Sequence, residues 1–260
     1  MYGRAAEAKQ TAFRIRRKKS RGERIVALTA YDYPTARILD EAGVDLVLVG
    51  DSAANVVHGM ATTLNIGMEE MLCHTRAVAR AVQRALVVAD MPFLSYQVSS
   101  DEAVRNAGLF LKAGAEAVKL EGATAAVCAL VRRLVEMGIP VLGHVGLVPQ
   151  SVHQLGGYRL QARTQVERER LVADACELEA SGCFAVVLEP AAFWTDGVSA
   201  SSGPAVSGSS NDQCTRGPRP AGGRTRNPVT ALTGSVSLPM SDSTSNCPKS
   251  GEPVSLSPLA

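Results

Sequence analysis

No apolar run in the 260 residues approaches the roughly 18 needed to cross a bilayer, so no membrane partner is expected. Charge of one sign is not in excess either. Lys and Arg number 27 against 25 Asp and Glu, and without a clustered basic surface there is no electrostatic case for nucleic acid as a partner. The six cysteines (Cys73, Cys128, Cys176, Cys183, Cys214 and Cys247) form no C-x-x-C pair, which removes the usual zinc spacings. They are expected to be reduced and mostly buried. No G-x-G-x-x-G follows the first apolar run, which argues against a dinucleotide-binding sheet. The basic stretch at Arg14–Arg21 lacks the apolar segment of a secretory signal and is expected to be a solvated first helix.

What is present divides into two unlike parts. Eight of the 13 prolines fall in residues 191–260, alongside 14 serines and eight glycines, with no sustained periodicity. Such a segment buries too little apolar surface to offset its chain entropy, so it is expected to be a disordered tail. The body, residues 1–190, alternates short β-branched runs with longer amphipathic ones. Strands are expected at Ile25–Thr29, Leu46–Val49, Leu86–Ala89, Ala117–Leu120, Val141–His144 and Ala185–Leu188. They are continuous apolar runs, as in strands covered on both faces. Helices are expected at 34–42, 68–83, 101–113, 124–137 and 165–181. Thr164 with Glu167 reads as a capping box, and Ser99 or Ser100 as a cap followed by favourable acids. Strands in series with crossover helices make a parallel sheet, either a (β/α)8 barrel or an open doubly wound sheet.

The polar residues favour the barrel. Each run after the first ends in a titratable group: Asp51, Asp90, Lys119 with Glu121, His144, and Glu189. In a parallel barrel all these ends open on one face, where active sites are built. Asp51, Asp90 and Glu121 crowded together would repel and raise one another's pKa. A hard divalent cation removes that conflict, and oxygen donors without Cys or paired His favour Mg²⁺. Mg²⁺ takes one or two carboxylates directly, so Asp51 and Asp90 are expected as ligands and Glu121 in or beside the coordination. Lys119 shares a strand face with Glu121 and suits an anionic, oxygen-rich substrate. A Schiff-base role for Lys119 is the metal-free alternative. His144 can donate to a carbonyl or carboxylate. His74 is expected to be structural, and His58 and His153 fall in loops.

Ala30-Tyr31-Asp32-Tyr33-Pro34, Val49-Gly50-Asp51-Ser52-Ala53, Val56-Val57-His58-Gly59, Ala89-Asp90-Met91-Pro92-Phe93, Val118-Lys119-Leu120-Glu121-Gly122 and Gly143-His144-Val145-Gly146-Leu147-Val148-Pro149-Gln150 stand in one order. In them residues 12–190 resemble the ketopantoate hydroxymethyltransferase family. Leu155-Gly156-Gly157-Tyr158 and Gly182-Cys183-Phe184 continue the likeness. The resemblance implies a (β/α)8 TIM barrel that binds Mg²⁺ and transfers a one-carbon unit from 5,10-methylenetetrahydrofolate to 3-methyl-2-oxobutanoate, giving 2-dehydropantoate for pantothenate synthesis. Carried onto matching positions, it implies Asp51 and Asp90 as metal ligands with Glu121 as their neighbour. It implies Ser52, Lys119 and His144 as substrate contacts, with Asp51 and Asp90 framing the same pocket, and Glu189 as the catalytic acid/base. It further implies a homo-oligomer, often a decamer, and a cytoplasmic location, with mitochondrial as the alternative.

The likeness stops at Glu189 and Pro190. Family members continue with two more strands, including a Gly-rich strand end absent from 191–260. The expectation is therefore an incomplete barrel of about six βα units plus the tail. Strand number, tilt and shear are linked, so six strands do not close as eight do. This motivates a second reading, a catalytically inactive product or non-catalytic subunit. A third is another Mg²⁺-dependent 2-oxo acid aldolase or lyase on the same barrel.

Overall fold

The structure, a computed structural model, describes residues 8–151 and 164–189. Six strands form one sheet: β1 (Ala27–Thr29), β2 (Leu46–Val49), β3 (Leu86–Asp90), β4 (Ala117–Glu121), β5 (Val141–Gly146) and β6 (Ala185–Glu189). They lie in chain order and every neighbouring pair is parallel. A doubly wound sheet reverses its strand order at a switch point. This one never does, and it is the wall of a partial (β/α) barrel. The helices are α1 (Ala12–Ser20), α2 (Tyr33–Ala42), α3 (Ala53–Val56), α4 (Met68–Ala81), α5 (Ser100–Lys112), α6 (Ala125–Glu136) and α7 (Gln165–Ala180). The five expected helices and six expected strands are present within one or two residues of their expected ends. The short α3 and the 3₁₀ turns at Thr63–Asn65 and Pro149–Ser151 were not anticipated, being too brief to show a period.

Local chemistry accounts for the helix ends. The Asp32 side chain accepts from the Thr35 amide at the start of α2, and Gly43 ends that helix in the left-handed region at φ +88°. Thr164 and Glu167 form the expected capping box of α7. The Ser99 side chain caps α5, with Asp101 and Glu102 in the first turn.

Alternation along the strands divides the core in two. Val47, Val49, Val87, Ala89, Val118, Leu120, Val141, Val145 and Val186 pack outward with the helices, in a layer that includes Phe110, Leu134 and Leu178. Leu46, Leu86, Val88, Ala117, Leu142 and Ala185 pack inward with Ile15, Ile25 and Phe184. The first helix therefore departs from the expected solvated element. Its basic side faces solvent, but Ile15 is fully buried in the inner layer. Lys18 anchors the helix on Asp45 at 2.6 Å, and Asp45 also accepts from the Val26 amide.

Among the described residues no disulfide forms, and no helix is long and apolar enough to cross a membrane. Cys128 and Cys183 are buried as expected, but Cys73 is exposed on α4. The expected tail at 191–260, His153 and the 155–158 motif lie outside the described residues, as do Cys214 and Cys247.

Candidate active site

The parity that sends Leu86 and Val88 inward also sends Asp90 inward. By the same count Lys119 and Glu121 follow Ala117, His144 follows Leu142, and Glu189 follows Ala185. Strand register then sets the neighbours. Asp90 lies across from Lys119, and Glu121 across from His144. The Lys119 Nζ is 2.5 Å from Asp90 Oδ2 and 3.5 Å from Glu121 Oε1. The His144 Nδ1 is 3.1 Å from Glu121 Oε1. Its Nε2 approaches Glu189 Oε2 at 3.1 Å without the alignment of a hydrogen bond. Asp51, just beyond β2, donates its amide to Asp90 Oδ2 at 3.3 Å. Asp51, Asp90, Lys119, Glu121 and His144 are each at most 6% exposed. The six strand-end groups expected to share a face therefore meet in one cluster, five of them buried and Glu189 half-buried at its rim. Ser52 joins its edge, with its Oγ 2.9 Å from the Tyr31 hydroxyl.

Burial and mutual repulsion govern the charges. Burial, reinforced by Asp90, pushes the Asp51 carboxyl up to about 7. Burial also raises Asp90, against the pull of Lys119. Burial works against ionised Glu121, but Lys119 and His144 outweigh it and hold that carboxyl down at about 2. Burial and Lys119 both oppose a charged His144, yet its contacts with Glu121 and Glu189 lift the imidazole to about 9. Burial disfavours the Lys119 ammonium, and the three carboxylates around it nevertheless hold it above its ordinary value.

Two contributors had no assigned role in the sequence reading. Gln150 follows the β5 strand end and reaches Asp51 Oδ2 and the Met91 carbonyl through Nε2, at 3.1 and 3.0 Å. Its amide donates to Glu121 Oε2 at 3.1 Å. The Tyr96 hydroxyl donates to Gln150 Oε1 at 2.9 Å and accepts from the Glu121 amide at 3.3 Å. Gln150 lies in the Gly143–Gln150 motif, but a neutral amide carries no charge signal. Tyr96 has no sequence signal beyond its polarity. His74 is structural as expected, with its Nδ1 2.7 Å from the Tyr31 carbonyl. His58 is exposed, and its Nε2 lies 2.9 Å from His74 Nε2, outside the acidic cluster.

The donor set can be tested for a hard cation. Among the described residues no three His, Cys, Asp or Glu side chains form a ready cage. Mg²⁺ needs fewer, since it keeps waters and takes one or two carboxylates. The Oδ1 of Asp90 is buried with no hydrogen-bond partner, an arrangement that costs free energy unless a cation or water meets it. Gln150 occupies Oδ2 of Asp51. Both oxygens of Glu121 are engaged, by His144 and by the Gln150 amide. Asp51 and Asp90 are thus the side chains able to hold a divalent ion, with Glu121 beside them.

A parallel (β/α) sheet with titratable groups gathered at the carboxyl ends of its strands defines a barrel-type protein with its site at the mouth. The structural neighbours agree on the fold. Phosphonopyruvate hydrolase, solved with oxalate and Mg²⁺, superposes with a TM-score of 0.52 at 15% identity, over 70% of this chain and 64% of that one. 2,3-Dimethylmalate lyase, of the PEP mutase/isocitrate lyase superfamily, gives 0.51 at 20% identity over the same shares. The chain belongs to the ketopantoate hydroxymethyltransferase family, whose model matches residues 9–193. The 3-methyl-2-oxobutanoate hydroxymethyltransferase of Staphylothermus marinus is 56% identical over 64% of this chain and 61% of its own length. That of Prosthecochloris aestuarii is 54% identical over 69% and 66%. The chain spans just under two thirds of the length of these curated relatives.

Proposed function

We propose that the chain carries the chemistry of its relatives. It would transfer the one-carbon unit of 5,10-methylenetetrahydrofolate to 3-methyl-2-oxobutanoate, giving 2-dehydropantoate in pantothenate synthesis. The observation that carries this reading is the convergence of Asp51, Asp90, Lys119, Glu121, His144 and Glu189 on one barrel mouth. The enzyme would work in the cytoplasm on small molecules, within a homo-oligomer of the family type.

Asp51 and Asp90 would hold Mg²⁺, which when bound polarises the keto group of a 2-oxo acid and acidifies the C3 proton. The Lys119 ammonium, kept charged by its acidic neighbours, offers a fixed positive charge to the substrate carboxylate and to the enolate oxygen. Ser52, at the edge of the cluster, supplies a hydroxyl to the same substrate. His144 is held by Glu121 and presents Nε2 toward Glu189. Glu189 takes the C3 proton as general base. Carbon C3 then bonds to the methylene carbon as one of its two folate carbon–nitrogen bonds breaks. Water displaces the second folate nitrogen and supplies the hydroxyl oxygen, and the C3 proton and one water proton end on the two nitrogens of the departing tetrahydrofolate.

The test is proton–deuterium exchange at C3 of 3-methyl-2-oxobutanoate, followed by NMR in D₂O with and without Mg²⁺. Exchange that requires Mg²⁺ and falls at least 100-fold in Glu189→Gln is expected for a general base. Absence of exchange from folded protein would select the second reading, a non-catalytic subunit of a homologous assembly. That reading is favoured by the family match ending at 193 and by β1 and β6 having only one strand neighbour each among the described residues.

A further inference from the structure

Gln150 is 7% exposed and ties three strand ends together. Through its amide it holds Glu121 of β4. Through its side chain it holds Asp51 beyond β2 and the Met91 carbonyl beyond β3. The orientation of its carboxamide is over-determined. The Met91 carbonyl can only accept, so Nε2 must face it. The Tyr96 hydroxyl already accepts from the Glu121 amide, so its proton is free for Gln150 Oε1. The Gln97 side chain donates to that same oxygen at 3.2 Å. Hydrogen bonds thus run in one direction, from the Glu121 amide through Tyr96 and Gln150 to Asp51. The consequence falls on Asp51, whose Oδ2 is committed as an acceptor while Oδ1 takes no hydrogen bond from the described residues.

We infer that Gln150 is a positioning residue that decides which oxygen of Asp51 is left for a divalent cation. The inference rests on the reading of Asp51 and Asp90 as the metal pair. Two features make the amide the right group. It is a donor, so it fixes the carboxylate's rotation. It is neutral, so it adds no further charge to a mouth that already holds four carboxyl groups. Partners that orient a ligand in this way contribute to affinity without touching the ion, and losing one costs roughly 10–100-fold in metal binding.

The experiment is isothermal titration of the full chain with Mg²⁺, comparing wild type, Gln150→Met, Tyr96→Phe and Asp90→Asn. Melting in EDTA serves as the folding control. Gln150→Met keeps the length and removes the donor. Its Kd is expected to rise roughly 10–100-fold. Tyr96→Phe keeps the ring and removes only the hydroxyl that sets the amide, so a smaller rise in Kd is expected. It decides the matter if Gln150→Met does not fold. A merely structural Gln150 would lower the EDTA melting temperature and leave Kd within twofold of wild type. That result, with Asp90→Asn abolishing binding, would overturn the role of Gln150 and leave the metal pair standing. Failure of the folded wild type to bind Mg²⁺ would remove the metal pair and this role with it.

Discussion

Lys119 allows three acidic side chains, Asp51, Asp90 and Glu121, to share one mouth. Its ammonium sits between Asp90 and Glu121, and without it burial would drive both carboxyls toward their neutral forms. The compensation is uneven. Glu121 is held ionised, whereas Asp51, farther from the cation and close to Asp90, is pushed up to about 7. An acid whose folded pKa is raised contributes stability fully below its unfolded pKa and loses it as pH rises through the folded one. His144, raised to about 9, likewise contributes below its ordinary value near 6.5 and loses that contribution as pH rises through 9. Both act in the same direction, so stability in EDTA is expected to fall between pH 5 and pH 9. A divalent cation competes with the proton on Asp51, so Mg²⁺ is expected to stabilise more at pH 8 than at pH 5. At a hundred times Kd that stabilisation is about 2.7 kcal/mol. Thermal melts at the two pH values, with and without Mg²⁺, check the sign. An equal Mg²⁺ increment at both would contradict it.

Among the elements, β4 shows most clearly how much was legible. Its run Ala-Val-Lys-Leu-Glu, residues 117–121, is apolar enough to read as a covered strand, and period-two alternation places Lys119 and Glu121 on one face. The sequence could not say which face, because both are buried. Pairing in register with β3 and β5 made it the inner face and set Lys119 against Asp90. Gly146 at the end of β5 illustrates a close approach. Its φ is +99°, and a Cβ there would collide with the backbone carbonyl of Glu189, so the pairing of β5 with β6 extends to this last position only because the side chain is missing. Helix α1 illustrates what the sequence hid. Five of its nine residues are basic, and the single buried Ile15 does not make a visible period. Since Ile15 fills the inner layer, Ile15→Ala is expected to cost about 2–5 kcal/mol, measured by urea denaturation. A loss below about 0.5 kcal/mol, as for a surface change, would show that α1 does not close this layer.

For the whole molecule, the question is cooperativity. Edge strands expose unpaired backbone groups, and β1 and β6 stand at the edges of the described sheet. Yet the outer layer is one continuous cluster that runs from Ala30 near β1 to Val186 on β6. Such a layer should unfold as a unit. Cys183 reports on it, because burial pushes this thiol up to about 12, whereas Cys73 is exposed on α4. Alkylation is expected to modify Cys73 in the native protein. Cys183 should react only along the same transition seen by far-UV circular dichroism. Early reaction of Cys183 would show that the β6 side opens separately and would favour a chain that depends on a partner.

The sequence by itself determined the six strands and the longer helices, the alternation of side chains between the two faces of each strand, and which strand ends carry charge. Those properties depend on local periodicity and on residue type. Only the tertiary structure decided which charges neutralise one another, that Gln150 and Tyr96 belong to the site, and that an apparently solvated helix is bound to the inner layer. Those outcomes depend on register and distance between segments up to 99 residues apart, as in the Gln150–Asp51 hydrogen bond. No local pattern encodes such a separation.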